Sequence, residues 1–98
     1  MLGDGVGLVG SVVTDVLYSD GIEVLPQAQG TRLTANIATR SRAADGIDVG
    51  DSSAVLRANV ANDNRDLGIE AVPGVTDAGG NRATGNGNRL EFVGIACR

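Results

Sequence analysis

An all-β solenoid of about four coils, each with three short strands, is the fold class that three observations on this chain predict. First, one short phrase recurs: Asp20-Gly21-Ile22-Glu23-Val24, then Asp45-Gly46-Ile47-Asp48-Val49, then Leu67-Gly68-Ile69-Glu70-Ala71. Second, the glycines of these copies, with that of Val93-Gly94-Ile95-Ala96, stand 25, 22 and 26 residues apart. A period in the twenties marks a coil that cannot bury its apolar face alone and must stack on its neighbours. Third, hydrophobic residues make up 42% of the chain but aromatics only 2%, so the core must be built from Ile, Val, Leu and Ala. Fifteen glycines and seven asparagines against two prolines supply the many tight turns that such coils need.

Taken in order, residues 1–19 read as a shortened first coil. Asp4-Gly5-Val6-Gly7-Leu8 is a degraded copy, in which Val6 and Leu8 correspond to Ile22 and Val24, Val12 corresponds to Leu33, and Asp15 falls where later copies have asparagine. Gly5-Val6-Gly7-Leu8-Val9-Gly10 also matches the GxGxxG of dinucleotide-binding folds. That fingerprint needs a strand before it and a helix after it. Only four residues precede Gly5, and the following Ser11-Val12-Val13-Thr14 is β-branched.

The second coil, 20–44, opens with Ile22 and Val24 alternating with Glu23, which puts the apolar side chains on one face and the carboxylate on the other. A turn from Pro26 to Gly30 leads to a strand at Arg32-Leu33-Thr34-Ala35, then Asn36, then a third strand at Ile37-Ala38-Thr39. The third coil, 45–66, repeats this order with Val55-Leu56-Arg57-Ala58, Asn59 and Val60-Ala61. The fourth, 67–89, has a longer connection from Pro73 to Gly80, then Arg82-Ala83-Thr84-Gly85 and Asn86. This alignment stacks Ile22, Ile47 and Ile69; Leu33, Leu56 and Ala83; and Asn36, Asn59 and Asn86. Stacked asparagines pass hydrogen bonds from coil to coil through their amides. Residues 90–98 hold an apolar cluster outside the repeat rhythm (Leu90, Phe92, Val93, Ile95) and are expected to cap that end.

Composition removes several functions. The net charge is −4, there is no lysine, and the eight arginines are dispersed, so no nucleic-acid partner is expected. No apolar run approaches the ~18 residues of a membrane span, and no leader opens the chain, so an export signal would lie upstream. With no histidine and only Cys97, zinc sites and Ser-His or Cys-His catalysis are excluded within the chain.

The best candidate site is the outward stripe Glu23, Asp48 and Glu70. Carboxylates at one coil position stand about 4.8 Å apart. Like charges that close raise one another's pKa or invite a hard cation such as calcium between them. Asp20 and Asp45 either complete such a shell or start the strand from a turn. The plain alternative for the stripe is the polarity of any outward strand position.

From residue 20 onward the chain resembles the right-handed parallel β-helix of the pectate lyase-like superfamily, on its GI(E/D)V strands, its inward asparagines and its closing 73–88 segment. Members of this kind end with two cysteines. Here Phe92 stands in the first one's place, so the terminal disulfide is absent. The resemblance implies a secreted or cell-surface scaffold that interacts with carbohydrate. The alternative is the C-terminal part of a polysaccharide lyase or epimerase acting on acidic polysaccharide. In such enzymes the groove runs along this sheet, acidic residues hold calcium, and a basic residue abstracts a proton. No arginine lies on the GI(E/D)V strands, so no complete catalytic site is expected in this chain, and calcium is the only cofactor considered. Arg40, Arg42 and Arg65, in the loops before these strands, either contact an acidic glycan or pair locally, Arg65 with Asp63 and Asp66. Open coil edges recruit other strands. The N-terminal edge, with only Met1 and Leu2 to cover it, is expected to meet upstream coils or to self-associate.

Overall fold

The computed structural model describes Gly5 and residues 7–95, and these form a parallel β-solenoid of about four turns. Asp4 and Val6 of the degraded copy, the Met1 and Leu2 cover and Cys97 lie outside the described residues. Twelve strands follow one another: β1 (Gly7–Val9), β2 (Val12–Thr14), β3 (Ile22–Val24), β4 (Arg32–Thr34), β5 (Ile37–Thr39), β6 (Ile47–Val49), β7 (Val55–Arg57), β8 (Val60–Asn62), β9 (Ile69–Ala71), β10 (Thr76–Asp77), β11 (Arg82–Thr84) and β12 (Phe92–Val93). Every third strand returns to the same sheet, giving three four-stranded parallel sheets, β3-β6-β9-β12, β1-β4-β7-β10 and β2-β5-β8-β11. Among the described residues there is no helix, and so none long and apolar enough to cross a membrane.

Strands of three residues or fewer place one or two side chains inward, and the three sheets divide the core by size. The first sheet contributes the stack Ile22, Ile47, Ile69 and, beside it, Val24, Val49, Ala71. The second contributes Leu8, Leu33 and Leu56. The third contributes Val13, Ala38, Ala61 and Ala83, mostly alanine, so that sheet lies close against the branched side chains of the other two. Ile47, Ile69, Leu33 and Leu56 are fully enclosed. Burying a side chain of this size contributes about 1.5–3 kcal/mol, which makes these stacks the main source of stability.

The corners carry the polar order. Between the second and third sheets, Asn36 Nδ2 donates to Asn59 Oδ1 at 3.1 Å, and Asn59 Nδ2 donates to Asn81 Oδ1 at 3.1 Å. The other Nδ2 hydrogens reach Leu8 O, Leu33 O and Leu56 O, and the Oδ1 atoms of Asn36, Asn59 and Asn81 also accept the backbone amides of Ser11, Asn36 and Asn59 one coil earlier. Between the third and first sheets a second ladder runs from the Ser41 amide to Asn64 Oδ1, and from Asn64 Nδ2 to Asn86 Oδ1 at 3.0 Å. A residue with positive φ precedes each rung: Ala35, Ala58 and Gly80 in the first ladder, Arg40, Asp63 and Gly85 in the second. Such a bend turns the chain sharply and aims the next side chain inward.

The stacked coils explain the repeated glycine. A Cβ on Gly46 would stand 2.5 Å from Asn64 Nδ2, and one on Gly68 would stand 2.7 Å from Asn86 Nδ2. At Gly46 and Gly68 the ladder amide thus leaves no room for a Cβ, whereas at Gly21 it is the Gly46 carbonyl, 2.7 Å from where a Cβ would stand, that does so.

Several expected alignments are corrected. Ala83 stacks on Ala61 and Ala38, not on Leu33 and Leu56. The rung above Asn59 is Asn81, and Asn86 belongs to the second ladder. Both shifts follow from β10, a second-sheet strand inside the connection from Pro73 to Gly80, where Asp77 stands opposite Leu56. In the first coil, Leu8 pairs with Leu33 rather than with the position of Val24, because β1 belongs to the second sheet, and Val12 pairs with Ile37 in the third sheet rather than with Leu33. At the other end Phe92 pairs with Ile69, so the last GI-like copy begins earlier than Val93-Gly94-Ile95. Phe92 packs against the core and Ile95 is buried, whereas Leu90 and Val93 are exposed. On the first coil Val9, Val12, Leu17 and Tyr18 are exposed.

Candidate functional site

Extended backbone at β3, β6 and β9 points the middle residue of each strand outward. The parallel register sets Glu23 opposite Asp48 and Asp48 opposite Glu70. These three candidates therefore do share one coil position. They are joined by the two aspartates at the strand entrances. Carboxylate oxygens of Asp20, Glu23 and Asp48 lie within 4.8 Å of one another, as do those of Asp45, Asp48 and Glu70. Asp48 is common to both groups, so the stripe is a five-carboxylate cluster centred on it.

Asp20 and Asp45 hold the turns that lead into the strands. Each accepts an amide from the next coil, Asp45 N to Asp20 Oδ1 at 2.9 Å and Leu67 N to Asp45 Oδ1 at 2.9 Å, and so starts its strand. Each also faces the cluster. The column stops at Leu67, which has no carboxylate to offer the coil after it.

Electrostatics follow from crowding acids where water is scarce. Burial pushes the Asp48 carboxyl up to about 7, helped by the charge of Asp20, a hydrogen bond to its carboxyl, and the charges of Glu70 and Glu23. Burial likewise raises Asp45 to about 8, with a hydrogen bond to Glu70 and the charges of Glu70 and Asp20 adding to it and the Leu67 amide opposing. Such a cluster either holds protons or exchanges them for a cation. Its donors are all carboxylate oxygens, the set that suits a hard divalent ion.

The arginines are arranged differently from expectation. Arg40 grips Asp15 of the preceding coil through two bonds, Nε to Oδ1 at 2.9 Å and Nη2 to Oδ2 at 3.0 Å, and Arg42 approaches the same carboxylate at 3.4 Å. The Arg40 guanidinium holds Asp15 below the usual carboxylate range. Asp15 therefore serves as a counter-ion and is not a ladder residue. Arg65 forms no ion pair with Asp63 or Asp66 among the described residues, and Asp66 instead accepts from Asn88 Nδ2 at 2.9 Å. The Asp15–Arg40 pair spans 25 residues, so sequence proximity could not find it; coil alignment could have.

The face formed by β3, β6 and β9 carries carboxylates and no arginine. Compared with family models, with curated proteins and with solved structures, the chain matches none of them, so the solenoid and its carboxylate cluster stand on geometry alone.

Proposed function

We propose that this chain is a secreted or cell-surface solenoid scaffold of the pectate lyase-like kind, which engages carbohydrate through a calcium ion held on its first sheet. The observation that carries this reading is the cluster around Asp48: five carboxylates, two with pKa values raised toward neutrality. A calcium ion takes six to eight oxygens. Asp48 with Asp20 and Glu23, or with Asp45 and Glu70, would supply part of that shell, and water or sugar oxygens the rest. The cation would relieve the repulsion between the carboxylates and present positive charge to an acidic glycan. The outward face of β3, β6 and β9 has no arginine to act as a base, which favours binding over turnover.

The test has two steps. Millimolar calcium at pH 8 should raise the Tm of the wild type by linkage, and an Asp48→Asn variant should lose most of that shift. Immobilised polyuronate should then retain the protein only when calcium is present. No shift in wild type, or the same shift in the variant, would remove the cation site. Release of an unsaturated sugar chromophore would instead favour the lyase reading.

A further inference from the structure

The corner between the third and first sheets bears a second charged arrangement that does not depend on the acidic cluster. The Asp15 amide donates to Thr39 O, that of Arg40 to Asn62 O and that of Asp63 to Thr84 O, so Asp15, Arg40, Asp63 and Gly85 share one coil position. Two residues later the Arg42 amide donates to Val16 O, that of Arg65 to Ser41 O and that of Gly87 to Asn64 O. Arg42, Arg65 and Gly87 therefore share another position. Two guanidinium side chains leave adjacent coils at backbone positions about 4.8 Å apart. With Arg40, Ser41, Asp63 and Asn64 they line a shallow cavity of about 400 Å³.

The charges in this cavity are not balanced. Asp15 is engaged by Arg40 through two bonds and gives Arg42 only the 3.4 Å contact. The Arg65 guanidinium has no hydrogen bond or ion pair among the described residues. Asp63 leans toward the following coil, with its Oδ1 2.6 Å from where a Gly85 Cβ would stand. Glycine at position 87 leaves no side chain to cover Arg65 from that coil. Stacked guanidinium groups repel, and one shared anion turns the repulsion into charge-assisted hydrogen bonds with planar, forked geometry.

We propose that Arg42 and Arg65 form a binding site for a single oxyanion, a carboxylate or a sulfate group, with Arg40 and its bound Asp15 as the fixed side of the cavity. Asp15 on Arg40 is an internal example of the same recognition, one coil position away.

The experiment titrates inorganic sulfate and, separately, acetate into the folded protein at constant ionic strength set with sodium chloride, following the arginine Nε–H resonances. The expected result is saturable shifts confined to Arg42 and Arg65. Binding should weaken about tenfold in Arg65→Gln, the effect of losing one charge-assisted contact. It should be unchanged in Arg57→Gln, which removes the same charge from exposed β7, and in Asp48→Asn, which separates this site from the cation cluster. Saturation by acetate as well as sulfate would assign carboxylates as ligands, and saturation by sulfate alone would assign sulfate esters. Shifts no different from those with chloride, or equal weakening in Arg57→Gln and Arg65→Gln, would overturn the proposal.

Discussion

The asparagine ladders and the carboxylate cluster are the same device built from different side chains: one polar group, repeated coil after coil in register. Their energetics are opposite. An amide both donates and accepts, so Asn36, Asn59 and Asn81 satisfy one another and stay buried without charge. A carboxylate only accepts, so Glu23, Asp48 and Glu70 cannot satisfy one another, and the central Asp48 responds by holding its proton up to about pH 7. In a solenoid, register multiplies whatever a side chain does to its own copy. Self-complementary groups become structure, and groups that repel themselves accumulate strain that a raised pKa relieves.

The comparison breaks most sharply if a rung changes class. Asn59→Asp keeps the shape of the side chain but loses the donors to Leu33 O and Asn81 Oδ1, leaving an acceptor facing acceptors in a dry interior. Urea denaturation at pH 7 should show a loss of about 3 kcal/mol or more, partly recovered at acid pH, where the carboxyl regains a proton. A loss below about 1 kcal/mol would show that the ladder is not a main support.

The reverse exchange, Asp48→Asn, should stabilise. The folded carboxyl titrates near 7 against about 3.9 in the unfolded chain. Between these values the native state binds more protons than the unfolded one, so wild-type stability falls as pH rises from about 4 to about 7. Asp45, raised to about 8, extends the fall. The variant should match wild type near pH 4 and exceed it by about 1–2 kcal/mol at pH 8 once solvent screening is allowed for. Parallel pH–Tm curves for the two proteins would contradict this account of the cluster.

The smallest effect concerns the backbone that serves the amide stack. Ala58 has a φ of 55°, a conformation that costs a residue with a Cβ, while glycine stands at the same place in the next coil as Gly80. Ala58→Gly should gain about 0.5 kcal/mol, the relief of strain exceeding the extra freedom given to the unfolded chain. A loss of that size would mean that the corner is not strained.

Much of this was legible in the chain, and the gaps have physical causes. The stack Ile22, Ile47, Ile69 and the pair Asn36, Asn59 could be read directly, because glycine-isoleucine and alanine-asparagine recur at nearly constant spacing. The fourth coil could not, since Thr76-Asp77 has neither a leucine nor a β-branched pair to announce a strand, and Asn86 then looked like the next rung. Gly5-Val6-Gly7-Leu8 misled for a related reason: a three-residue strand carries one inward side chain, too little to say which sheet it joins. The glycine rhythm was visible, but its causes, second-ladder amides against Gly46 and Gly68 and a neighbouring carbonyl against Gly21, arise only once the coils are stacked. Of the charged groups, the carboxylates at one coil position were legible as a stripe. The opposition of Asp15 and Arg40 was hidden because Asp15 was aligned as a missing asparagine.

The ladders also have a direction. In each rung-to-rung bond the donor N–H points toward the C-terminal coil and the accepting C=O toward the N-terminal one, so these amide bonds share one direction along the solenoid axis, as peptide dipoles do along a helix. The positive pole of each row is its last Nδ2, and a carboxylate meets it there: Asp77 Oδ1 lies 3.0 Å from Asn81 Nδ2, and Glu91 Oε2 lies 2.9 Å from Asn86 Nδ2. Acidic residues are thus placed as they are at helix N-termini. A further asparagine on either row would have to displace the anion that now caps it, Asp77 on one and Glu91 on the other, so each carboxylate works as an end-group for its row.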